Sequence, residues 1–481
     1  MTAMGNINRD ILKLAVPSIL ANVTVPLVGL VDMAVAGHLG TSGPFEAASL
    51  IGGIAIGTML FDLMYWNFGF LRAGTGGLVA QAYGRDDMAG AGKILSRALG
   101  LALMCSLFLI AVQVLFVKGA FLVVDCSQEV RELATGYFYI RIWAAPATLS
   151  LMAFKGWFIG MQDAVSPMVT DLVVNLLNAA VSIVLALGIR AGGISYDGIG
   201  FDGIAWGTVA AQYSGLVTAA AILLLKYRRR LSGAFAVSDM VSSFAGKGAR
   251  EFLSLNLDLF LRSLCLICIY IGFTTIAASC GDLALAAASI LMKLIMLFSY
   301  FTDGFAYAGE ALAGKSIGAQ DPESLRMTVR GVFNWSMVLT AAAIVLYASG
   351  TVPLVEFLSD DDVVTGAAGK YVLWLMVMPV LGCAAFAWDG IYIGAAAARS
   401  MRNAMLLSTV SFFLSFFIWT AAAGHNSDTF AGESAIHGLL FGYLVHLAVR
   451  VIYLHCRFGR DVLPLAGRKT DLPQDPDPLQ K

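Results

Sequence analysis

Six acidic residues, Asp32, Asp171, Asp258, Asp303, Glu310 and Asp389, lie inside long apolar stretches of this sequence. A carboxylate in hydrocarbon costs at least several kcal/mol, so such a group faces a cavity or a partner. There it can trade protons, hold a cation or neutralise a base. Asp32 follows two prolines, Pro17 and Pro26, and no basic residue stands in its stretch past Lys13. Each proline removes a helix hydrogen bond and permits bending. Asp171, Asn175, Asn178 and Ser182 fall at i, i+4, i+7 and i+11, one polar stripe on an apolar helix. A cavity lining is preferred for it over helix-to-helix hydrogen bonding. Asp258 and Arg262 are at i, i+4 and could neutralise each other as a structural pair. Asp303, Tyr307 and Glu310 share a helix face, and Asp389 adjoins Trp388. Structure and transport are both open for Asp303, Glu310 and Asp389. No His/Cys cluster has metal-ligand spacing, so no metal or other cofactor is expected.

Two patterns of soluble enzymes occur out of context. Gly309 to Ser316 spells a phosphate loop, but it falls toward the end of an apolar helix rather than after a buried strand. Gly198 to Gly203 spells a dinucleotide fingerprint in a loop between apolar segments, where a turn is the simpler reading.

The elements that must position these groups follow from composition. The 481 residues are 58% hydrophobic and 13% charged, against about 25% charged in a soluble domain. Apolar blocks suit helices crossing a bilayer core of about 30 Å. About twelve spans are expected, near 11–38, 46–80, 89–117, 129–159, 164–189, 203–226, 249–279, 284–317, 323–349, 363–394, 400–423 and 432–456. The first reads as a retained span and not a signal peptide, because its apolar run is too long and contains Asp32. A polar segment at 228–247 separates an amino lobe, 1–227, from a carboxyl lobe, 248–458. The tail, 459–481, carries four prolines and reads as disordered. Arginine and lysine concentrate in alternate loops, among them Arg85, Arg228 to Arg230, Arg326, Arg399 and Arg457, while Asp360 to Asp362 falls in an intervening one. The positive-inside rule then places both termini in the cytoplasm. The net charge of −1 gives no case for nucleic acid.

The halves repeat. Gly69-Phe70 pairs with Gly304-Phe305 at an offset of 235 (304 − 69), as does Asp86 with Asp321, and Ile159-Gly160 pairs with Ile393-Gly394. Six spans per half keep both copies in one orientation, so the repeat is parallel, with a binding site between the halves. Export or import of small molecules is the function this architecture favours.

Several motifs in order carry a resemblance. They include Asn22 to Asp32 with Ala36-Gly37-His38-Leu39-Gly40, and Phe70-Leu71-Arg72-Ala73-Gly74-Thr75-Gly76-Gly77-Leu78. The second half adds Asp303-Gly304-Phe305-Ala306-Tyr307 with Glu310, Asp389 to Gly394, and Met401 to Met405. From about Ile11 to Tyr453 the sequence resembles the multidrug and toxic compound extrusion (MATE) family, in its DinF-like branch. The resemblance implies twelve helices in two V-shaped lobes. It also implies export of amphipathic, often cationic compounds by antiport with H⁺ or Na⁺. By position, Asp32 matches the ion-coupling aspartate and Pro17 the bending proline. One departure is Ser182, where the family often has a second amino-lobe carboxylate. A lone carboxylate in a low-dielectric cavity trades protons nearer neutral pH, and Na⁺ wants several oxygen ligands, so H⁺ is the expected ion and Na⁺ the alternative. The expected protein is a monomeric, multi-pass inner-membrane transporter whose partners are small molecules and the lipid bilayer. A flippase of the same superfamily is the nearest rival, with Arg72, Arg141, Lys155, Arg262 and Lys293 spread over four spans. A membrane-embedded lipid-modifying enzyme is more remote.

Overall fold

A computed structural model describes residues 3–39, 46–122, 124, 126–191, 194–230, 247–358, 366, 369–422 and 433–467. Residues 231–246 of the polar segment, the Asp360 to Asp362 run and the tail past residue 467 lie outside them. Among the described residues, twelve helices are long and apolar enough to cross a membrane. Spans 1 to 6 are Met4–Leu39, Ala47–Gly84, Met88–Ala120, Gln128–Gly160, Val165–Leu187 and Phe201–Tyr227. Spans 7 to 12 are Gly248–Ser279, Leu283–Gly318, Pro322–Ser349, Val372–Gly394, Ala398–Ala422 and Ser434–Ala466. Span 12 runs past the expected boundary at 459. Its helix reaches Asp461 and a 3-10 turn follows at Leu463–Ala466, because Val462 and Ala466 are fully buried in the core.

Spans 2 and 4 each change pitch midway, at 3-10 turns Trp66–Phe68 and Ile142–Ala144. Span 1 continues as one helix through Pro17 and Pro26. Each proline lacks the N–H that the carbonyl four residues earlier would accept, so Lys13 and Asn22 lose a helical bond. The fingerprint-like glycines follow a small hairpin in which Ile189–Ala191 pairs antiparallel with Ile194–Tyr196. Gly198 and Gly200 take left-handed φ of 74° and 67° there, as turn residues do.

The repeat is visible in the backbone, with one correction of register. Among the described residues, four other than glycine have positive φ: Asp86, Gln162, Gln320 and Ala396. They pair at an offset of 234 (320 − 86 and 396 − 162). Each ends a helix in the same way, with an N–H bonded six-to-one to a carbonyl five residues back. These bonds are Asp87 to Ala82, Asp163 to Phe158, Asp321 to Ser316 and Ala397 to Tyr392. The counterpart of Asp321 is therefore Asp87, not Asp86. Asp87 Oδ1 accepts from the N–H of Gly90 at 2.7 Å, and Asp321 Oδ1 from that of Ser324 at 2.9 Å. The 235 offset matched letters. The capping geometry sets 234.

These four turns share one face with the chain's start and with most of its arginines, the basic face. The lobes meet in the half-spans beside it. A Cβ on Gly77 would strike the carbonyl of Ile393, and one on Gly84 the carbonyl of Lys315. Gln81 Nε2 donates to the Gly394 carbonyl at 2.9 Å and Gln162 Nε2 to that of Ala311 at 2.7 Å. Ile11, Leu14, Ile159, Phe305 and Leu312 form a buried cluster across the same junction.

Candidate functional site

Two sets of ionisable groups come together within the spans. The first belongs to the amino lobe. Asp32 is 6% exposed, and its Oδ1 has no hydrogen-bond partner. It is not without a neighbouring base, because Arg141 of span 4 acts on it electrostatically. Arg141 donates to Tyr137 Oη at 3.0 Å and lies 4.8 Å over the Phe61 ring. A second carboxylate, Asp62 of span 2, also feels Arg141, and across the lobe junction Tyr300 of span 8 feels Asp62. Asp62 is exposed in the middle of an apolar helix. The rule that singled out Asp32 applied to it equally, and the residue was missed.

The stripe on span 5 divides. Asn178 is 2% exposed and donates to Thr208 Oγ1 of span 6 at 2.9 Å. Ser182 is fully buried and donates to the Ile204 carbonyl of span 6 at 3.3 Å. Asn175 donates to Thr24 Oγ1 of span 1 at 2.6 Å. Helix-to-helix bonding thus describes these three residues. Asp171 stands apart and accepts from Lys155 of span 4 at 2.8 Å.

The second set lies where both lobes contribute. Arg72 of span 2 donates to Glu310 of span 8 at 2.8 Å and sits 4.3 Å over the Tyr307 ring. Glu310 is fully buried, and its Oε1 has no partner. It occupies the space a side chain at Gly76 would need, which is why glycine stands there. Asp303 acts on Arg72, Lys155, Arg262 and Arg450. Asp303, Tyr307 and Glu310 thus share the face that their spacing gave them.

The expected Asp258–Arg262 pair does not form. Asp258 accepts from Arg402 at 2.5 Å and lies 4.0 Å from Arg399, near the basic face. Arg262 instead bonds Asp389, which Arg450 of span 12 also holds. A turn of helix leaves Asp258 level with the arginines of span 11 and Arg262 level with span 10, and those partners outcompete each other's company. Arg450 was another residue missed by sequence, a lone base in an apolar span. Of the cations named as a flippase signature, Lys293 stays exposed and outside this set. The phosphate-loop lookalike lies wholly within the helix of span 8, where its backbone N–H groups are used by the helix.

Outside the spans, Asp163 anchors the turn between spans 4 and 5. It accepts from Lys226 Nζ at 2.7 Å, Tyr227 Oη at 2.8 Å and Ser166 Oγ at 2.5 Å. Burial alone would raise its pKa, but the bonds from Lys226, Ser166 and Tyr227 outweigh this and hold the carboxyl below its usual range.

Twelve spans in two parallel repeats, with bases and acids buried between the lobes, define a polytopic membrane transporter. The MatE family model matches residues 17–184 and 259–418. The chain is 31% identical over 414 residues to DNA damage-inducible protein F of Escherichia coli K12, covering 86% of each. It belongs to the MatE family of multidrug and toxin extrusion transporters and is not an enzyme. The fold is similar to that of an outward-facing multidrug resistance MATE family transporter of the MOP superfamily, with a TM-score of 0.77 and 17% identity over 94% of this chain and 96% of that one. A MOP superfamily transporter from Pyrococcus furiosus gives 0.79 at 16% identity, over 94% and 96%.

Proposed function

We propose that the chain exports amphipathic, often cationic small molecules across the inner membrane in exchange for H⁺, with both termini cytoplasmic and the monomer as the working unit. The observation that carries the choice of ion is Asp32, buried with one oxygen unpartnered beside Arg141. A proton and a cationic solute both neutralise a carboxylate there, so each weakens the other's binding, which is the linkage antiport requires. Loss of the Asp32 charge also removes its attraction to Arg141. That frees span 1 to move about Pro17 or Pro26, and two states biased by one proton suffice for alternating access. In the carboxyl lobe Asp389 is bonded to two arginines and Glu310 to Arg72. This leaves Asp303 as the remaining acid for a Na⁺ cage, which wants several oxygens, and supports H⁺ over Na⁺. The sealed junction at the basic face corresponds to the outward-facing state.

Proteoliposomes with separately imposed pH and Na⁺ gradients test the proposal. Dye export should follow the pH gradient and vanish in Asp32→Asn, with the protein still folded. Export that runs on Na⁺ at fixed pH and survives Asp32→Asn refutes proton coupling at this site.

A further inference from the structure

Where the lobes meet, two arginines share one carboxylate. Arg450 grips Asp389 through two nitrogens, Nε reaching Oδ1 at 3.0 Å and Nη2 reaching Oδ2. Arg262 adds a further bond to that same Oδ2. One carboxylate therefore serves two guanidiniums, and the group holds a net positive charge. The two arginines differ in access. The Arg450 side chain is 3% exposed and that of Arg262 15%. The Arg262 Nε is buried with no partner of its own. A guanidinium presents its donors as a fork that fits a carboxylate or another oxyanion, and here, among the described residues, only Nη2 is hydrogen-bonded, to Asp389.

The surroundings hold as many carboxylates as cations, but among the described residues none other than Asp389 bonds Arg262. Arg72 and Lys155, 17% and 23% exposed, stand nearby with their own acids, Glu310 and Asp171. Asp303 is the one carboxylate acting on all four cations, and among the described residues it makes no hydrogen bond or ion pair with any. The amino-lobe set is biased in the opposite sense, with Asp32 and Asp62 both acting on Arg141. Asp62 and Arg72 mark the two sets on span 2. Ten residues of span 2 (72 − 62), three of them in the 3-10 turn Trp66–Phe68, separate them by about 16 Å.

We infer that Arg262 is an anion subsite, and that the chain takes dipolar amphiphiles. The acidic group of such a compound docks at Arg262, and its cationic end points toward Asp32 and Asp62. This deepens the exporter reading and rests on it. A purely cationic solute has no group to offer Arg262 and gains nothing from it.

The test uses a matched pair of probes, a rhodamine ethyl ester and the same rhodamine with its carboxylate free. Binding to the purified full-length chain in nanodiscs is followed by fluorescence anisotropy. The free acid should bind about tenfold more tightly than the ester, as expected for one charge-assisted contact. In Arg262→Gln that ratio should fall to about one, and Arg262→Lys should keep part of it. Asp389 stays bonded to Arg450 in both variants, and thermal unfolding checks that they fold. Equal affinities in the unmodified chain, which need no variant to measure, overturn the inference. So does a preference that survives Arg262→Gln. Gradient-driven transport separates the two readings. If neither dye moves, the exporter reading fails. If the ester moves and the acid is neither bound nor moved, only the anion subsite fails.

Discussion

Gly77→Ala should open the basic face. Alanine is ordinarily the better helix residue, by about 1 kcal/mol. That gain is common to every state in which span 2 is helical, so it cancels between conformations of the transporter. The collision does not cancel. In the sealed state a Cβ at Gly77 meets the carbonyl of Ile393, with its carbon 2.9 Å away. Both are backbone atoms of the opposite lobe and can yield only if the lobes part. Overpacking of this kind costs about 1–3 kcal/mol, which shifts a two-state equilibrium about 5- to 150-fold. Ile159 is 1% exposed and packs against Phe305 and Leu312 across the junction, so it reports on the seal. In a chain whose seven native cysteines are replaced by serine, Ile159→Cys should be alkylated faster by a water-soluble thiol reagent once Gly77→Ala is added. Gly69→Ala, whose Cβ meets nothing within 4 Å, is the control and should leave the rate alone. An unchanged rate in Gly77→Ala would mean that the lobes do not separate there, and the assignment of the seal would be wrong.

Asp163→Asn should lower thermal stability in detergent by about 2 kcal/mol or more near neutral pH, since it removes charge-assisted bonds from Lys226, Ser166 and Tyr227. The folded pKa lies below the unfolded value of 3.8, so the stabilisation is complete above that value and is lost as pH falls through the folded pKa. The gap between the two proteins should therefore close in acid, and a gap that widens there contradicts the argument. Asn178→Leu should cost about 1–3 kcal/mol, because it takes away the donor to Thr208 between spans 5 and 6. A loss of export with unchanged melting, against a swap at Val184, would instead return Asn178 to the cavity lining. Lys315→Ala should not alter nucleotide binding, since none is expected from residues inside a helix. ATP hydrolysis by the pure protein that disappears in this variant is the contrary result.

Length and hydropathy made the spans legible, because a bilayer demands a full helix of apolar residues for each crossing. The same demand exposed Asp32, Asp303, Glu310 and Asp389, since an acid in such a helix is costly wherever it sits. Pairing was a different problem. Asp258 and Arg262 are neighbours on one helix, but a pair at i, i+4 on a surface helix is worth only about 0.2–0.5 kcal/mol. Partners on other helices, 127 and 144 residues away, displaced it. Which helix faces which depends on packing at glycines such as Gly77 and Gly76, and no periodicity within a span reveals that. The span 5 stripe shows the same limit from the other side. Its spacing set Asn175, Asn178 and Ser182 on one polar face, but the face meets spans 1 and 6, where hydrogen bonds between helices consume it. The charge of the site follows from these pairings and not from the count of ionisable residues. Asp389 sits where the repeat places Lys155 in the other lobe (389 − 155 = 234). Yet Asp389 is bonded to two arginines and Lys155 to Asp171, so the residue type at a repeat position does not by itself set the local charge.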